Sequence, residues 1–183
     1  VIAPAHHRRI QAGILSWGQD MDHQHNPFQC NLGYQVSLSG KGEWAKKGDY
    51  IGKQALEKMK ADLKDGHKPY KLQLVGFEIG GKPIDEYAPD FWLVSPGDGG
   101  DPCGFITSPW YHPEKGKNIA MGYIPFDGTL NANGFPKWEL GKKFKVHLPD
   151  IYADEPGVPV DAVTVDVPFT ESFNANTREV VKG

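Results

Sequence analysis

The stretch IGKQALEKMKADLKDGHKPYKLQLVGFEI, residues 51–79, contains the change of periodicity that decides how this chain folds. In its first half Ile51, Ala55, Leu56, Met59 and Leu63 recur at helical spacing while lysines fill the opposite face, which predicts a helix from Gly52 to Asp65. Gly66 stands where a left-handed C-terminal residue belongs. The next five residues, GHKPY at 66–70, are bracketed by glycine and proline and read as a linker. Beyond them the repeat drops from about 3.6 residues to about 2, the period of a strand.

Working outward to the C-terminal side, six apolar runs follow at 71–79, 90–96, 104–111, 118–126, 142–149 and 160–169. Alternation in KFKVHL and AVTVDV, with turns such as PGDGGDPCG and DGTLNANGFP between runs, predicts an antiparallel barrel or sandwich over 71–183. Fifteen prolines and 22 glycines in 183 residues favour short strands and turns over a helical bundle. The fold class expected is therefore α+β and mostly β.

Residues 1–65 read differently. They offer a strand-like start, an apolar GILSW, a polar turn DMDHQHNP, a strand-like YQVSL and then the helix. A chain of 183 residues buries about 70% of its unfolded surface when it folds as one unit. The first 65 residues alone hold too little apolar material to close a core, so they are expected to complete a layer supplied by something else. The chain then reads as a fragment or as an obligate partner, and a large apolar patch left by a missing neighbour would drive association.

Composition narrows the partners. A net charge of −3 with acids and bases interspersed gives no basic stripe for phosphates, so no nucleic-acid partner is expected. Two cysteines are too few for a disulfide framework and fit a reducing compartment. No run nears the ~20 apolar residues of a membrane span, and no secretory leader pattern opens the chain. A soluble, cytoplasmic protein without a membrane partner is the expectation.

His23 and His25 with Asp20, Asp22 and Cys30 are residue types that bind zinc or iron, but their spacing matches no compact structural site. Asn26-Pro27 marks a turn, and polar residues around a turn are ordinarily solvated, so no metal is expected. His6 and His7 read as surface or interface residues. Cys30 and Cys103 lack an activating pattern and read as small packed thiols. The glycine pairs at 80–81 and 99–100 precede no helix start with Lys-Ser/Thr, so they are turn glycines and not a phosphate loop.

An ordered series of motifs carries a resemblance. Arg9-Ile10-Gln11-Ala12-Gly13-Ile14, Trp17-Gly18, Asp20, Asn26-Pro27 and Gly48-Asp49-Tyr50-Ile51-Gly52-Lys53-Gln54-Ala55-Leu56 follow one another in the first part. Val75-Gly76-Phe77-Glu78, Ile106-Thr107-Ser108, Asn118-Ile119-Ala120-Met121-Gly122-Tyr123-Ile124-Pro125 and Pro168-Phe169 follow in the second. In order and spacing this set resembles the glycine cleavage T-proteins, or aminomethyltransferases, over nearly the whole chain, and specifically their C-terminal portion. The Asn26-Pro27-Phe28-Gln29-Cys30 stretch is also similar to the dimethylsulfoniopropionate demethylase branch of that family.

The resemblance implies transfer of a one-carbon unit from a small methylated or aminomethyl donor to tetrahydrofolate. It implies that residues 1–66 end the folate-binding domain and that 71–183 form the C-terminal barrel. In the family a longer N-terminal region supplies most of the folate cradle and the catalytic aspartate. No catalytic residue is therefore expected in this chain, and the N-terminal portion of the same enzyme is its expected partner, beside the small methylated substrate.

Two positions depart from the family pattern. Gln11 stands where the family has a glutamate that accepts from the pterin, and a glutamine offers one acceptor and one donor without charge. Trp17 replaces a tyrosine, keeping the aromatic wall but exchanging a hydroxyl for an indole N–H. With Trp110, which follows Thr107-Ser108-Pro109, these are the expected cofactor-binding residues. Thr170-Glu171-Ser172 stands where T-proteins carry basic residues beyond the closing Pro-Phe, which puts an anionic-tail contact in question. Two other readings stay open from sequence: a non-catalytic folate-binding relative of the kind associated with iron-sulfur cluster assembly, and a barrel that serves as an interaction module.

Overall fold

The computed structural model describes residues 5–36, 38 and 49–169. Thr170-Glu171-Ser172, Gly48 of the Gly48-to-Leu56 motif and Ser37 of YQVSL lie outside those residues. The chain divides into two compact units: one takes the described residues of Val1–Asp22, Leu74–Ile124 and Glu139–Gly183, the other those of His23–Gln73 and Pro125–Trp138.

In the first unit the described residues open on a helix, α1 (His6–Gln11); residues 1–4 of the strand-like start lie outside them. Six residues are too few to show a period in sequence, and neither a side-chain cap nor an acidic first turn supports this helix. Burial of Ile10 and a well-formed stop hold it. Gly13 takes φ +66°, its N–H donates to Ile10 O at 2.9 Å, and Ile14 N donates to Arg9 O at 2.8 Å. This is the paired 5→2 and 6→1 bonding that ends helices on a left-handed glycine.

The six expected strands all form: β1 (Leu72–Ile79), β2 (Trp92–Pro96), β3 (Gly104–His112), β4 (Lys117–Pro125), β5 (Lys143–Val146) and β6 (Val160–Val165). They close into a barrel in the order β1-β4-β3-β2-β5-β6, antiparallel throughout the registered pairs. Closure removes the exposed sheet edges that an open sandwich would leave. Phe77 and Phe144 meet edge to face at 5.9 Å in the core, with Val94 and Val146 fully buried beside them.

Two details of the barrel bear on the site. The β3–β4 register shifts between Ile106 and Ser108, so Thr107 is an extra residue in β3. Gly76 on β1 leaves room for the chain that follows β6: a Cβ there would lie 2.6 Å from Val167 Cγ2 and 2.9 Å from Val165 O. Gly13 receives Val167 from the other side, where a Cβ would collide with Val167 Cγ1.

The second unit contains the helix foreseen from periodicity, α2 (Lys53–Lys64). It ends as α1 does, on a left-handed glycine, with Gly66 N donating to Leu63 O and His67 N to Asp62 O. Its apolar face is narrower than the spacing suggested. Leu63 is buried and Leu56 and Met59 half-buried, whereas Ala55 is exposed and Ile51 lies before the helix, fully exposed. Gly52, at φ +88°, starts the helix one residue too late for Ile51 to share that face. The residues read as a linker end on Tyr70, which is buried in this unit's core with Phe28, Leu63 and Phe126. The strand expected in YQVSL is replaced by a 3-10 turn, η1 (Gly33–Gln35), where a Cβ on Gly33 would press on Phe28 and Phe135 at 2.8 and 2.9 Å.

Candidate functional site

The polar centre of the first unit is Asp20, only 1% exposed. Its loop is tight: Ser16 O accepts from Asp20 N at 2.9 Å, Gly18 N donates to Met21 O at 2.8 Å, and Gly18 takes φ +83°. The turn aims the carboxylate inward. Oδ2 accepts Arg9 Nη1 at 2.8 Å and Ser16 N at 2.8 Å, and Oδ1 accepts Thr107 Oγ1 at 2.5 Å and Ser108 Oγ at 2.6 Å. Four donors thus occupy acceptor positions on both carboxylate oxygens.

The bulge in β3 makes that possible. On a regular strand consecutive side chains point to opposite faces. The extra residue at Thr107 turns two successive hydroxyls, Thr107 and Ser108, onto the same oxygen. The backbone of Asp20 is held as well, since Tyr123 on β4 donates its hydroxyl to Asp20 O at 2.6 Å.

Arg9 ties α1 into this centre. Its Nη2 donates to Ser108 Oγ at 2.8 Å and Gln19 Oε1 at 3.2 Å, and Nη1 also reaches Ile14 O at 3.2 Å. Gln19 passes the connection on, donating from Nε2 to Thr107 O at 2.7 Å and Ala88 O at 3.2 Å. Helix α1, the loop 16–21 and strand β3 are thus joined by one hydrogen-bonded cluster with paired charges.

The three residues expected to bind cofactor surround that cluster along the chain. Gln11, half-buried, is the last residue of α1, and its carbonyl accepts Phe169 N at 2.9 Å. Trp17 is 68% exposed on the loop, next to Ser16. Trp110 is half-buried on β3, with its ring stacked near His6 (centroids 6.2 Å apart, planes 18° apart) and tilted toward His7 at 6.3 Å. His6 in turn lies 4.8 Å from Tyr87. Burial, with Arg9 as a smaller cause, pushes the His6 imidazole below its ordinary range and favours the neutral ring.

Sequence reasoning weighed Asp20 as a metal ligand, expected no metal, and gave Arg9, Thr107, Ser108 and Tyr123 no individual role. Both oxygens of Asp20 are instead taken by side-chain and backbone donors. Among the described residues no group of three or more His, Cys, Asp and Glu could hold a metal ion. Cys30 is a buried thiol, and burial raises the Cys103 thiol above its usual range, the direction opposite to a reactive thiolate. Among the described residues no helix is long and apolar enough to cross a membrane.

No protein-family model matches the chain. Curated proteins do. It is 30% identical over 162 residues to the aminomethyltransferase of Thermosynechococcus vestitus, an alignment covering 88% of this chain and 35% of that protein. It is 32% identical over 117 residues to the aminomethyltransferase of Synechocystis sp., covering 64% of this chain and 27% of that one. The chain is a homologue of part of the aminomethyltransferases. It spans about a third of the length of these curated relatives. The crystal structure of the glycine cleavage system aminomethyltransferase T from Bartonella henselae superposes with a TM-score of 0.60 at 20% identity, over 89% of this chain and 37% of that one, which extends the likeness to the fold.

Proposed function

We propose that this chain is the part of a tetrahydrofolate-dependent transferase that closes over the pterin, moving a one-carbon group from a small methylated or aminomethyl donor to tetrahydrofolate. The observation that carries the reading is the Asp20 cluster. It bonds the Arg9-to-Asp20 motif to the Ile106-Thr107-Ser108 motif, two of the segments on which the likeness to aminomethyltransferases rests.

In this reading residues 1–66 end the folate-binding domain, 71–183 form the C-terminal barrel, and the remainder of the enzyme is the chain's partner. Gln11, Trp17 and Trp110 line the pterin. Their chemistry fits a flat heterocycle with an amide-like edge: a half-buried carboxamide that both donates and accepts, and two indoles with accessible surface. Tetrahydrofolate supplies the nucleophilic nitrogen that receives the carbon. The chain's residues hold and orient the ring, and orientation of the reacting nitrogen toward the donor supplies much of the rate. A donor with a readily departing group, such as a sulfonium, suits a demethylase; an aminomethyl donor suits the activity named for the relatives. Two cysteines in 183 residues suit a reducing compartment such as the cytoplasm, where this reading places the enzyme.

The test begins with native mass spectrometry of protein taken from its source, to find any companion polypeptide. Titration with 5-formyltetrahydrofolate by calorimetry follows, and then transfer assays with sulfonium, N-methyl and aminomethyl donors. Saturable binding that weakens in Gln11→Ala is the expected result. Binding without transfer from any donor would favour the non-catalytic relative. No binding, even with the companion present, would leave the barrel as an interaction module and overturn the proposal.

A further inference from the structure

We infer that Asp20 is a positioning residue for the candidate site, setting through one carboxylate the orientation of both Trp17 and Trp110. The inference goes one step beyond the folate reading, and rests on it only for what the two indoles then contact.

The argument starts from what Asp20 joins. Its Oδ2 holds Ser16 N at 2.8 Å, and Trp17 is the next residue. Trp17 has little packing of its own at 68% exposure, so the point from which its indole projects is set by the bonded backbone beside it. The same oxygen holds Arg9 on α1, and α1 carries His6 and His7, whose rings lie against Trp110. Oδ1 holds Ser108, which stands two residues before Trp110 on β3, on the same side of the strand. Trp110 is therefore tied to one carboxylate along two routes, through Ser108 on its own strand and through Arg9 and the helix.

The remaining bonds do not replace the carboxylate. Arg9 donates to Asp20 and Ser108 together, so losing the carboxylate leaves the guanidinium with Ser108, Gln19 and Ile14 O, and removes its counter-charge. An asparagine at 20 has one acceptor oxygen in place of two, and four donors compete for it. Either the Ser16 and Arg9 side or the Thr107 and Ser108 side must give way. The helix and the strand then keep only the direct Arg9–Ser108 bond and the link through Gln19, without the shared carboxylate that sets the relative placement of Trp17 and Trp110.

The experiment is 19F NMR of the 183-residue chain labelled with 5-fluorotryptophan, assigned with Trp17→Phe, Trp110→Phe and Trp138→Phe. Asp20→Asn should move or broaden the Trp17 and Trp110 resonances together and leave Trp138, which lies in the other unit, in place. Affinity for 5-formyltetrahydrofolate, measured well below the melting temperature, should fall about tenfold or more. Should Asp20→Asn fail to fold, Ser108→Ala removes one donor from Oδ1 and is read in the same way. A folded variant with Trp17 and Trp110 resonances unchanged would overturn the inference, as would unchanged affinity in a wild type that binds. If the wild type binds no folate, the folate reading falls, while the fluorine spectra still decide whether Asp20 sets both tryptophans.

Discussion

Arg9 Nη1 stands 2.8 Å from Asp20 Oδ2, and the side chain of the aspartate has no exposed surface. The arginine side chain is 12% exposed. A buried pair of this kind contributes little beyond what a well-packed apolar pair would, but breaking one half of it strands a charge in a medium that cannot solvate it. Arg9→Ala should therefore destabilise the first unit by about 3–5 kcal/mol, read from urea denaturation at neutral pH. Thr107→Val, which removes one of four donors and keeps the shape, should cost about 1–3 kcal/mol.

Val167 lies between two glycines, Gly13 and Gly76. Gly76→Ala forces a carbon to within 2.6 Å of Val167 and 2.9 Å of the Val165 carbonyl. The overpacking should cost about 1–3 kcal/mol. Adding Val167→Ala to that variant should recover part of the loss and not all of it, because the carbonyl is backbone and cannot withdraw. A thermal-melt comparison of the two single variants with the double variant measures the recovered share.

Gln73 is 1% exposed in the second unit. Its amide nitrogen serves Phe28 O, Gln29 O and the Asn31 side chain, and its carbonyl accepts the Tyr70 hydroxyl at 2.9 Å. Gln73→Leu keeps the volume and leaves those groups without their partner. A loss of about 2–3 kcal/mol is expected in chemical denaturation, with Tyr70→Phe costing about 1 kcal/mol.

His6 predicts a pH dependence. Its folded value lies below the ordinary 6.5, so the unfolded chain takes up this proton first as the pH falls. Stability associated with the neutral ring is complete above about 6.5 and declines as the pH drops toward the folded value. Melting temperatures measured from pH 7.5 down to 5 should fall more steeply for wild type than for His6→Gln. Parallel curves would show that His6 does not titrate in this way.

The barrel was legible in the sequence because its strands are short apolar runs, alternating in β5 and β6, with glycine or proline in the turns between, so local chemistry and global fold agree. The ends of α2 were legible for the same reason, down to the cap at Gly66. Helix α1 was not, although Ala12-Gly13 held its stop signal, because the six residues before it are too short for a period to emerge. Ile51 misled because spacing alone cannot show that Gly52 is where the chain turns into the helix. The Asp20 cluster lay beyond reach for a different reason. Its partners are 87 and 88 residues away, and two neighbouring hydroxyls converge on one oxygen only through a bulge that no pattern of side chains announces.

The interleaving of the two units also sets an order of assembly. Helix α1 and Asp20 come early in the chain, but Thr107 and Ser108 are made long afterwards, Tyr123 later again, and the Phe169 amide that meets Gln11 O last of all. The second unit's stretch His23–Gln73 is complete well before then, apart from Pro125–Trp138. During synthesis Asp20 therefore stays without these partners until β3 and β4 have been made. Such long sequence separations place this unit among slow-folding topologies, and its earliest residues are among the last to find their native partners.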